Sequence, residues 1–281
     1  MPDGRDVRGV AVPSFFYGTA WKEERTAALT LQALQAGFRA IDTANQRRHY
    51  VEAGVGEAVD EATGTGLVVR ADLFLQTKFT FQGGQDHRLP YDPRAPVPDQ
   101  VRQSFDVSLE HLRTPFVDAL VLHGPSSGRG LQDEDWEAWR AMEELQRAGK
   151  ARLIGISNVS LDQLQLLVAE AEVRPAFVQN RCFARAGWDR AVRSFCAQSG
   201  IGYQGFSLLT ANVRELQAPA VARVVQRTGA TLAQAVFAFA LAVGMFPLTG
   251  TTSEPHMRED LDAAGIRLAP EDVSALERCA G

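Results

Sequence analysis

Short, nearly continuous apolar runs alternate along this chain with stretches whose apolar residues recur every three or four positions. The runs are Phe38–Asp42, Leu73–Lys78, Phe116–His123, Leu153–Ser157, Phe177–Asn180, Ile201–Ser207 and Met245–Gly250, with a weaker one at Ile266–Leu268. Such runs suit strands of a parallel sheet buried on both faces. Between them, Val101–Leu112 places Val101, Phe105, Leu109 and Leu112 on one helical face, and Asp135–Gly149 ends on a glycine stop signal. Ser160–Glu170 and Leu232–Val243 read as helices too, and Val51–Val59 as a helix opening. A strand–helix spacing of ~25–45 residues fits repeated βαβ units.

Eight such units predict a (β/α)8 TIM barrel with a hairpin-like N-terminal segment, in one domain over residues 1–281. A doubly wound sheet would need a Gly-rich turn after its first strand. Here that turn is "TANQRRHY", without glycine, while "ATGTGL" (Ala62–Leu67) follows a helix and reads as a loop. Thr80–Asp99, rich in Gly and Pro, reads as one long loop, of the kind that is usually functional or mobile.

Composition narrows the class. A hydrophobic content of 45% in 281 residues supports a full core, and a net charge of -5 speaks against nucleic acid or an anionic membrane as partner. No apolar run reaches the ~18 residues of a membrane span. The start "MPDGRDVRGV" lacks the apolar core of a secretion signal. Cys182, Cys196 and Cys279 have no metal-ligand spacing, so no metal is expected, and they suit a reducing cytoplasm.

The ends of the predicted strands carry the chemistry. Asp42, Lys78 and His123 each close a strand, Ser157-Asn158 and Gln179-Asn180 close two more, and Tyr50 lies in the loop after Asp42. Taken alone, Asp42 can cap the next helix and Tyr50 can be a rim residue. In a barrel, all these ends meet on one rim. A buried lysine there needs a partner, which Asp42 supplies. Tyrosine has a reference pKa of ~10, which a neighbouring ammonium lowers. A histidine can orient a substrate oxygen, so the set suits proton transfer to a carbonyl, with an external hydride donor. No nucleophile motif, carboxylate pair or metal set appears, which disfavours a hydrolase.

The chain resembles the aldo-keto reductase superfamily from "FFYGTAW" to "HMREDL", through "GFRAIDTA", "VGEA", "QTK", "LVLHGP", "GISN", "VQN", "FCAQSGIGYQGFSLL" and "LTGTTSEPHMRED" in order. The resemblance implies NAD(P)H-dependent reduction of an aldehyde or ketone, with NADP(H) preferred and NAD(H) plausible. Its tetrad falls on Asp42, Tyr50, Lys78 and His123. The family's Tyr column lies nearer the Asp, where this chain has Arg47; counted back from Val55-Gly56 it falls on His49. Tyr50, which offers a phenol, is chosen as proton donor, with His49 as alternative. For the cofactor, the resemblance implies Ser157, Asn158 and Gln179 on the carboxamide, Phe206 on the ring, and Ser207 and Leu209 near the pyrophosphate. Gly250, Thr251, Thr252, His256, Glu259 and Asp260 fall at the adenosine end, where Gly250 and His256 replace a Lys and an Arg. Trp21, Phe79 and Trp188 are expected to wall an open substrate pocket. Expected partners are small carbonyl or alcohol substrates, on a cytoplasmic monomer or weak oligomer. The competing reading is a cofactor-binding regulatory subunit with little turnover.

Overall fold

The computed structural model describes residues 4–281. A hairpin of β1 (Gly4–Val7) and β2 (Val10–Pro13) precedes eight parallel strands that close into a barrel. These are β3 (Phe16–Gly18), β4 (Ala40–Asp42), β5 (Phe74–Phe79), β6 (Val117–Leu122), β7 (Ala151–Ser157), β8 (Phe177–Arg181), β9 (Gly202–Phe206) and β10 (Met245–Thr249). Around them lie α1 (Thr26–Ala36), α2 (Glu52–Gly64), α3 (Val97–Leu112), α4 (Asp133–Arg147) and α5 (Leu161–Glu170). The ring is completed by α6 (Arg190–Ser199), α7 (Pro219–Thr228), α8 (Leu232–Ala242), α9 (Glu254–Asp262) and α10 (Pro270–Glu277).

The predicted barrel is present, with one strand exchanged. Ile266–Leu268 forms no strand; it is a link between a turn at Ala263–Gly265 and α10. The missing wall is β3, whose three residues sit between β2 and α1. It ends on Gly18, with no polar side chain to mark its end as Asp42 marks that of the equally short β4. The long segment after β5 carries a turn at Gln82–Gly84, and α3 begins at Val97, so the irregular part is shorter than expected. Helix α2 runs on to Gly64, into the stretch read as a loop.

The barrel interior changes character from bottom to top because alternate residues of a strand face inward. On β5 these are Phe74, Gln76 and Lys78; on β8 they are Phe177, Gln179 and Arg181. Phe16, Phe74, Phe177 and Phe246 form an edge-to-face floor, with centroids 5.5–6.2 Å apart. Gly202 leaves room for it, since a Cβ there would stand 2.7 Å from the Phe177 ring. Val7, Val10 and Val12 of the hairpin join this floor, and Arg5 donates to Gly244 O and Met245 O, closing the barrel from below.

Above the floor lies a layer of amides. Gln76 and Gln204 exchange hydrogen bonds at 2.8 Å, and Gln179 Nε2 donates to Gln204 Oε1 at 2.8 Å. All three side chains are buried. The polar rim residues stand on this layer.

Candidate active site

Asp42 ends β4, Lys78 is the penultimate residue of β5, and His123 follows β6. Lys78 Nζ donates to both Asp42 oxygens and to Thr43 O, each at 2.7 Å. Asp42 Oδ1 also accepts from Gln76 Nε2 at 2.7 Å and from Gln179 Nε2 at 2.9 Å. The buried ion pair is thus anchored in the amide layer, which supplies the hydrogen bonds such a pair needs.

Tyr50 lies in the loop between β4 and α2. The loop after β4 turns back on itself, with His49 N and Tyr50 N both donating to Gln46 O. The segment after β5 clamps this loop: Gln46 Nε2 donates to Gly84 O, Gln85 Nε2 to Asn45 O, and Arg88 Nη2 to Arg47 O. The ring of Tyr50 lies 5.2 Å from Lys78 Nζ and 6.0 Å from the His123 ring, centroid to atom and centroid to centroid. Its phenol has no hydrogen-bond partner among the described residues and faces the cavity. Burial, aided by the charge on Asp42, pushes the phenol above its ordinary range, so it is a protonated donor. The lowering expected from Lys78 does not dominate. Burial lowers the Lys78 ammonium, against the pull of Asp42.

His123 Nδ1 pairs with Thr80 Oγ1 at 2.7 Å. Burial, then the charge of Lys78, pulls the imidazole down to about 3, so it is neutral near pH ~7. Thr80 went unread in the sequence, although it lies two residues beyond Lys78.

His49, the alternative donor, lines the same cavity but stacks on Trp21 with centroids 4.0 Å apart. Trp21 is 69% exposed and lines the cavity. The other two wall residues are corrected. Phe79 is buried outside the barrel against Phe81 and Tyr91, because a strand turns adjacent side chains to opposite faces. Trp188 is fully buried, packed on Phe239 and donating to Leu276 O beneath α10.

The cavity measures about 890 Å³ and extends from Tyr50 and His123 to His256, Glu259 and Asp260. Ser157 Oγ donates to Gln179 O at 2.6 Å, and Asn158 Nδ2 donates to His123 O at 2.8 Å. These bonds leave Gln179 Oε1 and Asn158 Oδ1 as acceptors with no donor among the described residues. Phe206, Ser207 and Leu209 line the wall beside them, and Gly250 and Thr251 line the far end. Thr252 is exposed and outside the cavity wall. Burial raises the Asp260 carboxyl to about 6, and its Oδ2 accepts from Thr249 Oγ1 at 2.7 Å.

Two cations in this wall were missed. Lys22 is buried, donates to Gly250 O, and stands 3.6 Å from where a Gly250 Cβ would be. Burial pushes its ammonium down to about 8. Arg181 ends β8 at the mouth. Each is a single basic residue with no pattern around it to mark it. No cluster of His, Cys, Asp or Glu able to hold a metal occurs among the described residues, and no helix there is long and apolar enough to cross a membrane.

The model of the Aldo/keto reductase family matches residues 15–280. Deoxymugineic acid synthase 1 of Oryza sativa subsp. japonica is 31% identical over 293 residues, covering 96% of this chain and 87% of its own. Glyoxal reductase of Bacillus subtilis is 26% identical over 271 residues, covering 96% and 89%. Among solved structures, an aldo-keto reductase complexed with NADPH superposes with a TM-score of 0.83 at 23% identity, covering 98% of this chain and 86% of that one.

Proposed function

Since the chain belongs to the aldo/keto reductase family, we propose that it reduces a small aldehyde or ketone to the alcohol, reversibly, with NADP(H) as cofactor and NAD(H) as a weaker substitute. One observation carries the mechanism. A protonated phenol without a hydrogen-bond partner among the described residues faces the cavity, near a buried ammonium and a neutral imidazole.

The wall fits a nicotinamide dinucleotide. Gln179 Oε1 and Asn158 Oδ1 are acceptors suited to a carboxamide N–H, and Phe206 offers a ring face. Ser207, Leu209, Gly250, Thr251, Lys22 and His256 would hold the rest. When bound, the reduced cofactor supplies a hydride to the substrate carbon. Tyr50 then gives its phenolic proton to the carbonyl oxygen, and Lys78 offsets the charge left on the phenolate. Asp42 keeps Lys78 charged and fixed. Thr80 Oγ1 can donate to Nδ1; in that tautomer His123 carries its proton on Nε2 and can donate to the same carbonyl oxygen.

The direct test is NADPH oxidation that requires both protein and a simple aldehyde, with the alcohol identified as product. Tight NADPH binding without turnover across a panel of aldehydes and ketones would favour the regulatory reading instead.

The adenosine end gives a pH prediction. Lys22 is the cation beside Gly250, where the family has a lysine, and it is charged below about 8. If it faces a cofactor phosphate, NADPH affinity is high at pH ~7 and declines as the ammonium loses its proton on the way to pH ~9. Lys22→Met should bind NADPH more weakly at pH ~7 and show a flatter profile. Fluorescence titration at several pH values measures both. A wild-type affinity constant across the window, unchanged in Lys22→Met, would remove Lys22 from the cofactor site.

A further inference from the structure

The wall of the cavity carries an arginine at its mouth that no acidic side chain among the described residues pairs with. Arg181 lies two residues beyond Gln179 on the inward side of β8, paired in register with Phe206. Its guanidinium carbon is 5.4 Å from the centroid of Phe183, and that of Arg185 is 4.8 Å from the same ring. Neither arginine makes an ion pair or hydrogen bond with the described residues. Some exposed arginines of this chain are paired, as Arg113 is with Asp60 and Arg258 with Glu254, and others are not; what sets Arg181 apart is its place in the cavity wall. The acidic residues of the cavity wall are also committed or distant. Asp42 is held by Lys78, while Glu259 and Asp260 belong to the Gly250 end on α9.

Two like charges against one aromatic ring, in a protein of net charge -5, make a local site for an anion. The planar fork of an arginine matches a carboxylate in a bidentate contact. The position favours the substrate over the cofactor. Arg181 rises from the strand that carries Gln179, at the carboxamide end, and Lys22 serves the opposite end. Resting on the carbonyl-reduction reading, we propose that Arg181, seconded by Arg185, docks a carboxylate carried by the substrate, so that the substrates are oxo-acids.

The test compares succinic semialdehyde with butanal, equal in chain length and differing in the carboxylate, at saturating NADPH. Wild type should prefer the acid in kcat/KM. Arg181→Gln should lower the acid-to-neutral ratio about 10- to 100-fold, the scale of one charge-assisted contact. Arg181→Lys should recover part of the ratio, and Arg185→Gln should lower it less. Glutarate, which is not turned over, should bind the NADP-loaded protein by calorimetry and lose that binding in Arg181→Gln. A ratio unaffected by Arg181→Gln overturns the proposal. So does a rise in the KM for NADPH at constant ratio, which would assign the guanidinium to a cofactor phosphate. If wild type reduces neither aldehyde, the carbonyl-reduction reading fails by itself. Glutarate binding then decides: lost in Arg181→Gln, it upholds the carboxylate site, and absent in wild type, it overturns it.

Discussion

Tyr50→Phe is expected to lower kcat for aldehyde reduction by about 10²–10⁴-fold while leaving NADPH affinity intact. The substitution deletes one oxygen, which has no hydrogen-bond partner among the described residues, so its loss strands no group there. The ring that remains still fills the space beside Lys78 and His123. The loss should therefore appear in kcat, with little change in melting temperature. His49→Ala is the matched control for the alternative donor. His49 is stacked on Trp21 at the mouth, so its removal should act on the KM for substrate before it acts on kcat. A kcat loss in His49→Ala as large as in Tyr50→Phe would move the donor role to the imidazole. Near-normal kcat in Tyr50→Phe would remove the phenol from the reaction.

Lys78→Met should be worse on both counts. It removes the ammonium beside the phenol, and it leaves the buried Asp42 carboxylate with only the amides of Gln76 and Gln179. Removing one partner of a buried pair costs about 3–5 kcal/mol, because the other charge stays desolvated. At ~2–4 °C per kcal/mol for a domain of this size or slightly smaller, melting should fall by roughly 6–20 °C. Activity should drop below that of Tyr50→Phe. Adding Asp42→Asn removes the stranded charge, so the double variant should regain stability without regaining turnover. Calorimetry and kcat on the three proteins separate the two roles. A Lys78→Met enzyme with normal kcat would end the ion pair's part in the mechanism.

The sequence revealed most where one residue type carries one meaning. Leu73–Lys78 and Phe116–His123 were readable as strands because a strand covered on both faces is apolar throughout. Asp42, Lys78 and His123 stood out because polar residues at the ends of such runs have no packing purpose. What escaped depended on neighbours remote in the chain. The parity of β5 sends Lys78 and Thr80 inward and Phe79 outward, so an aromatic next to an inward-facing lysine misleads. Trp188 looked like a loop aromatic until α10, about 90 residues later, covered it. Lys22 and Gly250 are far apart in sequence and meet only where the barrel closes between β3 and β10. The two-residue step from Gln179 to Arg181 lies in plain view, but only a closed barrel shows which side is the cavity.

The amide layer under the site has a consequence for how this chain can change over generations. Gln76, Gln179 and Gln204 come from three strands, and two of them also hold Asp42. A mutation that replaces one leaves the others with buried donors or acceptors unmatched, a loss of about 1–3 kcal/mol per group before any effect on the acid. Drift at these positions is thus coupled. Even a joint exchange of the reciprocal pair at 76 and 204 to apolar side chains takes a donor from Asp42 and an acceptor from Gln179, so the whole layer must change together. The loops above can meanwhile vary with substrate, since none of them supplies an atom to this layer.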